Sequence, residues 1–407
     1  MEERVEYSSY RWVVLGVYMI VVALTQFLWL NFAPIEDIIR QQLNISEFKV
    51  SWLTSIFPLL SIILSAPVGS LLDAKGFKFT VGLGVIIMGI SVLLRLNYNS
   101  YMWLFLGQFG ISVAQPFIMN SVSKLAATWF DKSEEAIANG LSSMAMFVGM
   151  IIAMVLTPIL AKEKGIGEML FIYGIITLIG CILFLLLAKD NPSLASILKE
   201  EEEEYNTWTA YKEIFKMKDM LLLIGIMFIG LGFFNGFMTW IDELLKPEGF
   251  SSVQTGIIGG VIIMGGIVGA VVIPLLSDLV KRRKPFLITA TMVGGITMFP
   301  FLNTHKLYLA LAIGAVIGFF VIALLPIIFQ MTIEIVGERL TGTATGLLML
   351  MGSIGAVAVI YLMEYIKVLT NSFHSSMWLF VAFFIVAFIM AINIRETHPA
   401  VQLSRNK

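Results

Sequence analysis

Twelve runs of about 20 apolar residues account for most of the chain, at roughly 11–34, 50–72, 79–97, 101–125, 136–160, 168–188, 220–245, 254–277, 285–302, 307–333, 342–366 and 374–394. Each is long enough to cross the hydrocarbon core of a bilayer. Peptide groups that no water can reach must bond within their own segment, which makes such a run an α-helix. The expected fold is an all-α polytopic membrane protein of twelve transmembrane helices. Composition points the same way: 58% of the residues are hydrophobic and 14% charged, against roughly 25% charged in soluble domains. The opening Met1–Tyr10 is polar and acidic, and no small-residue cleavage site follows the first run, so that run reads as a retained span. The net charge of −1 gives no reason to expect a nucleic-acid partner. Cys181, the single cysteine, excludes an intrachain disulfide and reads as a small buried hydrophobe.

The runs fall into two copies. Gly69-Ser-Leu-Leu-Asp73-Ala-Lys-Gly76-Phe-Lys78 returns in degenerate form as Pro274-Leu-Leu-Ser-Asp278-Leu-Val-Lys-Arg-Arg283. Asp73 and Asp278 are 205 residues apart, as are Ser46 and Ser251, while Gly140/Gly346, Leu141/Leu347 and Gly149/Gly355 keep an offset of 206. This register predicts two pseudo-symmetric six-helix halves, 1–189 and 220–407, joined by a polar linker at 190–219. The acidic run Glu200–Glu204 reads as a solvated face, with a regulatory surface as the alternative. Tyr205–Lys218 mixes aromatic residues and lysines in the manner of an amphipathic helix at a membrane surface. With both termini inside, 19 of the 27 Lys and Arg residues fall on the inner side. That bias predicts cytoplasmic termini and cytoplasmic motif loops in a plasma or inner membrane.

The Gly-x-Leu-x-Asp-x-x-Gly-x-Lys loop in a duplicated chain resembles motif A of the major facilitator superfamily. The resemblance implies a transporter working by alternating access, with Gly69, Asp73, Gly76, Lys78, Asp278 and Arg283 serving a cytoplasmic gate. It also implies that Asp73 meets the start of span eleven, Arg339–Thr345, and Asp278 the start of span five, Ser133–Ala136. In the second copy Pro274 and Lys281 replace the two glycines. The bland reading of both loops is a tight turn carrying positive-inside charge.

A midplane substrate site would draw on polar and aromatic side chains. The candidates are Trp29, Asn31, Gln115 and Asn120 in the first half and Asn235, Thr239, Trp240 and Ser353 in the second. No Asp, Glu, Lys, Arg or His is expected at mid-depth, so a neutral amphiphile or a cation held over an aromatic face suits the cavity better than an organic anion. The competing reading of Trp29 is helix packing, and that of Gln115 and Asn120 is hydrogen bonding to neighbouring helices. A narrower resemblance rests on Gln26-Phe-Leu-Trp29-Leu-Asn31-Phe, Gly107-Gln108, Ser112-Val-Ala-Gln115-Pro-Phe-Ile, Ala127-Thr-Trp129-Phe130 and Gly342-Thr-Ala-Thr-Gly346. These segments look like the feline leukaemia virus subgroup C receptor-related transporters, associated with choline and ethanolamine and, by proposal, haem. In that family Trp29 and Gln115 match a cation–π tryptophan and a cavity glutamine, whereas the family's later Tyr and Gln fall at Thr239 and Ser353. The expected substrate is a small molecule, a choline-like cation moving by facilitated diffusion being one reading. Coupled transport of another metabolite such as a carboxylate, drug efflux, and a membrane sensor stand as alternatives. No Walker-type phosphate loop or Cys/His ligand spacing is present, so neither an enzyme nor a cofactor is expected, and nothing in the pattern asks for more than a monomer.

Overall fold

The computed structural model describes residues 9–131, 134–190, 207–337 and 340–398. It divides into two compact units, 1–203 and 204–407. The first holds α1 (Arg11–Leu30), α2 (Glu36–Leu43), α3 (Glu47–Lys75), α4 (Phe77–Leu94), α5 (Tyr101–Met119), α6 (Val122–Trp129) and α7 (Glu135–Leu187). The second holds α8 (Thr207–Ile214), α9 (Lys218–Thr239), α10 (Ile241–Leu245), α11 (Ser252–Val280), α12 (Lys284–Leu302), α13 (Leu307–Val321), α14 (Leu324–Val336), α15 (Thr341–Thr370) and α16 (Phe373–Asn393). Eleven helices among the described residues are long and apolar enough to cross a membrane. One of them, α7, breaks at Gly165, where φ is 82° and ψ 164°. Counting the two arms separately gives the twelve passages read from the sequence. The acidic run at 200–204 lies outside the described residues.

The fourth span of the first half and the span at 307–333 are each broken rather than continuous. In the first, α5 ends at Met119 and α6 begins at Val122. Pro116 sits in the last turn of α5, where its missing N–H weakens the ladder. In the second, α13 ends at Val321 and α14 starts at Leu324. Pro326 lies in the first turn of α14, a place where no intrahelical donor is needed. The span expected at 220–245 is shorter than read: α9 ends at Thr239, and α10 is a separate short helix beyond it.

Both units pack by the same scheme. In the first, α1 lies along α7, and α5 lies between α3 and α4; in the second, α9 lies along α15, and α13 lies between α11 and α12. Small residues set these contacts, since packing and not water exclusion drives helix association in lipid. A Cβ on Gly149 would stand 2.1 Å from the Ala23 carbonyl oxygen, and one on its repeat partner Gly355 would stand 2.2 Å from that of Phe228. Along α11 and α13 the fit is reciprocal. Gly265 and Gly269 abut the backbone at Ala315 and Phe319, while Gly318 abuts the backbone at Ile262. By contrast, Gly342 and Gly346 touch nothing within 4 Å at that position. α8 follows the amphipathic expectation, burying Ala210 and Ile214 and packing against α15.

Candidate functional site

The repeated loops are the best-defined polar structures in the molecule. Ser46 and Ser251 cap α3 and α11, each accepting a hydrogen bond from the backbone N–H three residues on. At the far ends of those helices the chain turns sharply. Gly76 has φ 83°, a conformation that glycine adopts without a Cβ penalty. The equivalent Lys281 also takes a positive φ, 55°. The second copy has kept a positive φ at this position without the glycine, but in a different conformation: ψ is 177° at Gly76 and 42° at Lys281.

Past each turn a carboxylate closes the loop. The Lys78 N–H donates to Asp190 Oδ1 at 2.8 Å, and the Arg283 N–H donates to Glu396 Oε1 at 2.7 Å. Each acid directly follows the last helix of its half and satisfies a donor in the first turn of the helix it faces. The two loops differ in their side-chain charges. Asp73 is mostly exposed and receives Lys124 Nζ at 3.3 Å. Arg283 is nearly enclosed: its guanidinium pairs with Asp278, donates through Nε to Glu334 Oε1 at 3.1 Å and through Nη1 to Ser277 Oγ at 3.0 Å. Glu334 on α14 also accepts from Thr397 Oγ1 at 2.6 Å and from Gln330 Nε2 at 3.3 Å. The second loop thus sits on a buried ion-pair network, and the first on a solvated pair that contributes little. A Cβ at Gly69 would meet nothing within 4 Å. Ser133 and Arg339, named in the expected gate contacts, lie outside the described residues.

Of the candidate substrate residues in the first half, Trp29 is 6% exposed. Its Nε1–H donates to the Thr54 carbonyl at 3.1 Å, tying the ring to α3 beside Phe57. Gln115 Oε1 accepts from Ser61 Oγ at 3.2 Å, so α3 holds this side chain too. Asn120 is exposed and donates to the Ser65 carbonyl at 3.3 Å. Asn31 is fully buried, and neither atom of its amide has a hydrogen-bond partner. In the second half the Asn235 amide is turned back onto the Leu231 carbonyl at 2.9 Å, and Thr239 is buried. Trp240 is fully buried, donates to the Ile360 carbonyl at 3.1 Å and lies against Phe373, a packing arrangement. Ser353 is half-buried on α15.

Ionisable groups are buried near the span ends, Arg95 and Asp242 among them. Arg95, just past α4, is 2% exposed. Its guanidinium carbon lies 4.6 Å from the centre of the Phe32 ring. Asp242 is also 2% exposed, and accepts hydrogen bonds from Thr255 Oγ1 at 2.8 Å and Ser252 Oγ at 3.0 Å. Burial raises its pKa above the usual aspartate value, and the two hydroxyls pull it part of the way back. Asp37, 205 positions earlier, is instead paired with Arg40, which also reaches Glu47 at 2.9 Å. The offset between Asp37 and Asp242 was readable in the sequence; their burial was not.

Two helical halves, each spanning a membrane several times and each closing the same capped loop, define a duplicated polytopic membrane protein of the transporter class. The sequence profile of the Major Facilitator Superfamily matches residues 17–360. The chain belongs to this superfamily, whose members move small solutes across membranes. It is 26% identical over 397 residues to solute carrier family 49 member A3 of Xenopus tropicalis, covering 92% of this chain and 81% of that one. It is 25% identical over 359 residues to the choline/ethanolamine transporter flvcr2a of Danio rerio, covering 83% and 76% of the two chains. Among solved structures, a bacterial homologue of the human lysosomal transporter Spinster superposes with a TM-score of 0.73 at 16% identity, over 95% of this chain and 98% of that one. At that identity the likeness concerns the fold alone.

Proposed function

We propose that this transporter carries a small choline-like cation by alternating access, without a bound cofactor, with Trp29 and Gln115 forming the wall that recognises it. The observation that carries the reading is the anchoring of Trp29. Because its indole N–H is already bonded to the Thr54 carbonyl, its remaining recognition chemistry is the negative π-face, which attracts a quaternary ammonium. Gln115, held by Ser61 on the same helix α3, supplies a neutral polar group for a hydroxyl or ammonium. Asn235 and Thr239 are the proposed counterparts in the second half, with Ser353 beside them on α15 and Asn120 at the margin. Trp240 contributes by packing. The choline and ethanolamine transport named for the Danio rerio relative supports the substrate class.

The same proposal assigns the clasped loops to a cytoplasmic gate in a plasma or inner membrane, with 1–189 and 220–407 rocking as units about the linker at 190–219. The excess of Lys and Arg on that side supports the orientation. The motif residues Gly69, Asp73, Gly76 and Lys78, and Asp278 and Arg283 opposite them in the repeat, would set the balance between the two facing states.

The test is a thermal-shift titration of the detergent-solubilised protein with choline, ethanolamine, amino acids, sugars and carboxylates, followed by choline uptake into liposomes. A ligand that binds the folded state raises the melting temperature by mass action. Choline is expected to do so, and Trp29→Ala to weaken its binding about thirtyfold, the scale of a desolvated cation–π contact of about 2 kcal/mol. Trp29→Ala protein that melts normally and still binds choline at full strength would remove Trp29 from the site. No response to choline alongside a response to another class would discard the cation reading and leave the fold assignment intact.

A further inference from the structure

We infer that the first half contains a binding site for a small inorganic anion of chloride's size, built on Arg95 and enclosed by the ends of α1, α4 and α5. The argument starts from the guanidinium. Arginine stays protonated in proteins, and Arg95 is 2% exposed. All three of its guanidinium nitrogens are buried and have no hydrogen-bond partner. Among the described residues no carboxylate pairs with it; its named contact is the face of Phe32. A buried charge without a counterion carries a desolvation penalty that a single cation–π contact does not offset. The carbonyl end of α4 compensates part of it, since a cation is favoured at a helix C-terminus, but leaves every guanidinium N–H unbonded.

The segments that touch Arg95 carry further unpartnered groups. Asn31 immediately precedes Phe32 at the end of α1, is fully buried, and has both amide atoms unpartnered. Gln108 follows Gly107, the residue against which the Arg95 stem is packed: a Cβ there would fall 2.5 Å from Arg95 Cγ. The Gln108 amide donates to the Leu28 carbonyl at 3.0 Å, in the last turn of α1, while its own oxygen is unpartnered. Five guanidinium N–H groups and two from Asn31 thus stand against two unpartnered side-chain oxygens. Water offers donors and acceptors in equal number and carries no charge. An excess of donors around a fixed positive charge selects an anion instead, with water as a companion for the two oxygens. Gly107 lets α5 approach the arginine stem closely.

The experiment is a melting curve of the purified full-length protein in detergent, with sodium chloride exchanged for sodium gluconate at constant ionic strength. Chloride from zero to about 150 mM is expected to raise the melting temperature saturably, by about 5 °C at saturation. Arg95→Gln removes the charge and should flatten the titration. Asn31→Asp is a second arm that does not depend on the folding of Arg95→Gln. It changes one atom of an unpartnered amide and tethers a carboxylate beside Arg95. Asn31→Asp should melt in gluconate as high as the unmodified protein does in chloride, and should no longer respond to chloride. A flat chloride titration of the unmodified protein overturns the inference and leaves water as the occupant. So does a chloride response that survives unchanged in Asn31→Asp, because the anion then binds elsewhere.

Discussion

Replacing Gly318 by alanine puts the packing of α11 on α13 to a direct test. A Cβ built there falls 1.8 Å from the Ile262 carbonyl oxygen and 2.7 Å from its carbon. Carbon and oxygen rest at roughly 3.3 Å, so one backbone must retreat from the other by about 1.5 Å. Side-chain rotation cannot relieve the contact because the obstacle is backbone, and the cost belongs at the upper end of overpacking, about 3 kcal/mol. Alanine's better helix propensity returns about 1 kcal/mol, leaving about 2 kcal/mol of net destabilisation. In a unit of this size that corresponds to a fall of about 4–8 °C in melting temperature. The matched control is Gly230→Ala on α9, where an added Cβ meets nothing within 4 Å. There the propensity gain stands alone, and the melting temperature should hold or rise. Both variants would be followed by thermal unfolding in one detergent, with size exclusion to confirm monodispersity. If Gly318→Ala melts as high as the unmodified protein, or if the two variants move in the same direction, close backbone approach does not hold these helices.

Two further outcomes follow from the ends of the spans. Asp242 has a raised pKa, so between the unfolded and folded values the native state binds the proton more tightly. Its contribution to stability is then greatest at low pH and is lost as pH rises through the folded pKa. Asp242→Asn should remove that downward trend from a plot of melting temperature against pH, and an unchanged pH profile would show that the carboxylate is not the titrating group. At the second loop, Lys281 holds φ 55° at a cost that glycine does not carry. Lys281→Gly should therefore stabilise by a few tenths to about 1 kcal/mol, and Gly76→Ala, at φ 83° and ψ 177°, should destabilise by about 1–3 kcal/mol, as read from melting temperatures. A Gly76→Ala protein that melts as high as the unmodified one would show that this backbone conformation is not required.

The features legible in the sequence were those that depend on local chemistry or on register. Span length and apolarity gave the helices, and the offset of 205 gave the paired loops and the serines that cap α3 and α11. Glycine recurs every four residues along several spans, but that spacing does not say which glycines are used: Gly265, Gly269 and Gly318 meet backbone, whereas Gly342 and Gly346 do not. What stayed hidden depends on residues from distant parts of the chain. Arg95 scores as an outer-loop charge under any count of loop cations. Only Phe32 beneath it and Gly107 beside its stem turn it into a buried one. Trp240 likewise stood as a candidate beside Thr239 until Ile360 and Phe373 closed around it. The second loop turns at Lys281 in a left-handed conformation that differs from that of Gly76, and the ion pairs and the Glu396 cap surround it.

The bond from the Lys78 N–H to Asp190 also fixes an order of events during synthesis. It joins positions 112 residues apart, so the loop cannot be locked while only the first few helices have left the ribosome. Once residue 190 has emerged, the partner is present, and no later part of the chain is required for this closure. The first half can thus secure its own turn before its copy has been translated, and the copy must wait in the same way for Glu396. A chain interrupted between the halves would leave behind a fastened six-helix unit, whereas one interrupted before Asp190 would leave an open one.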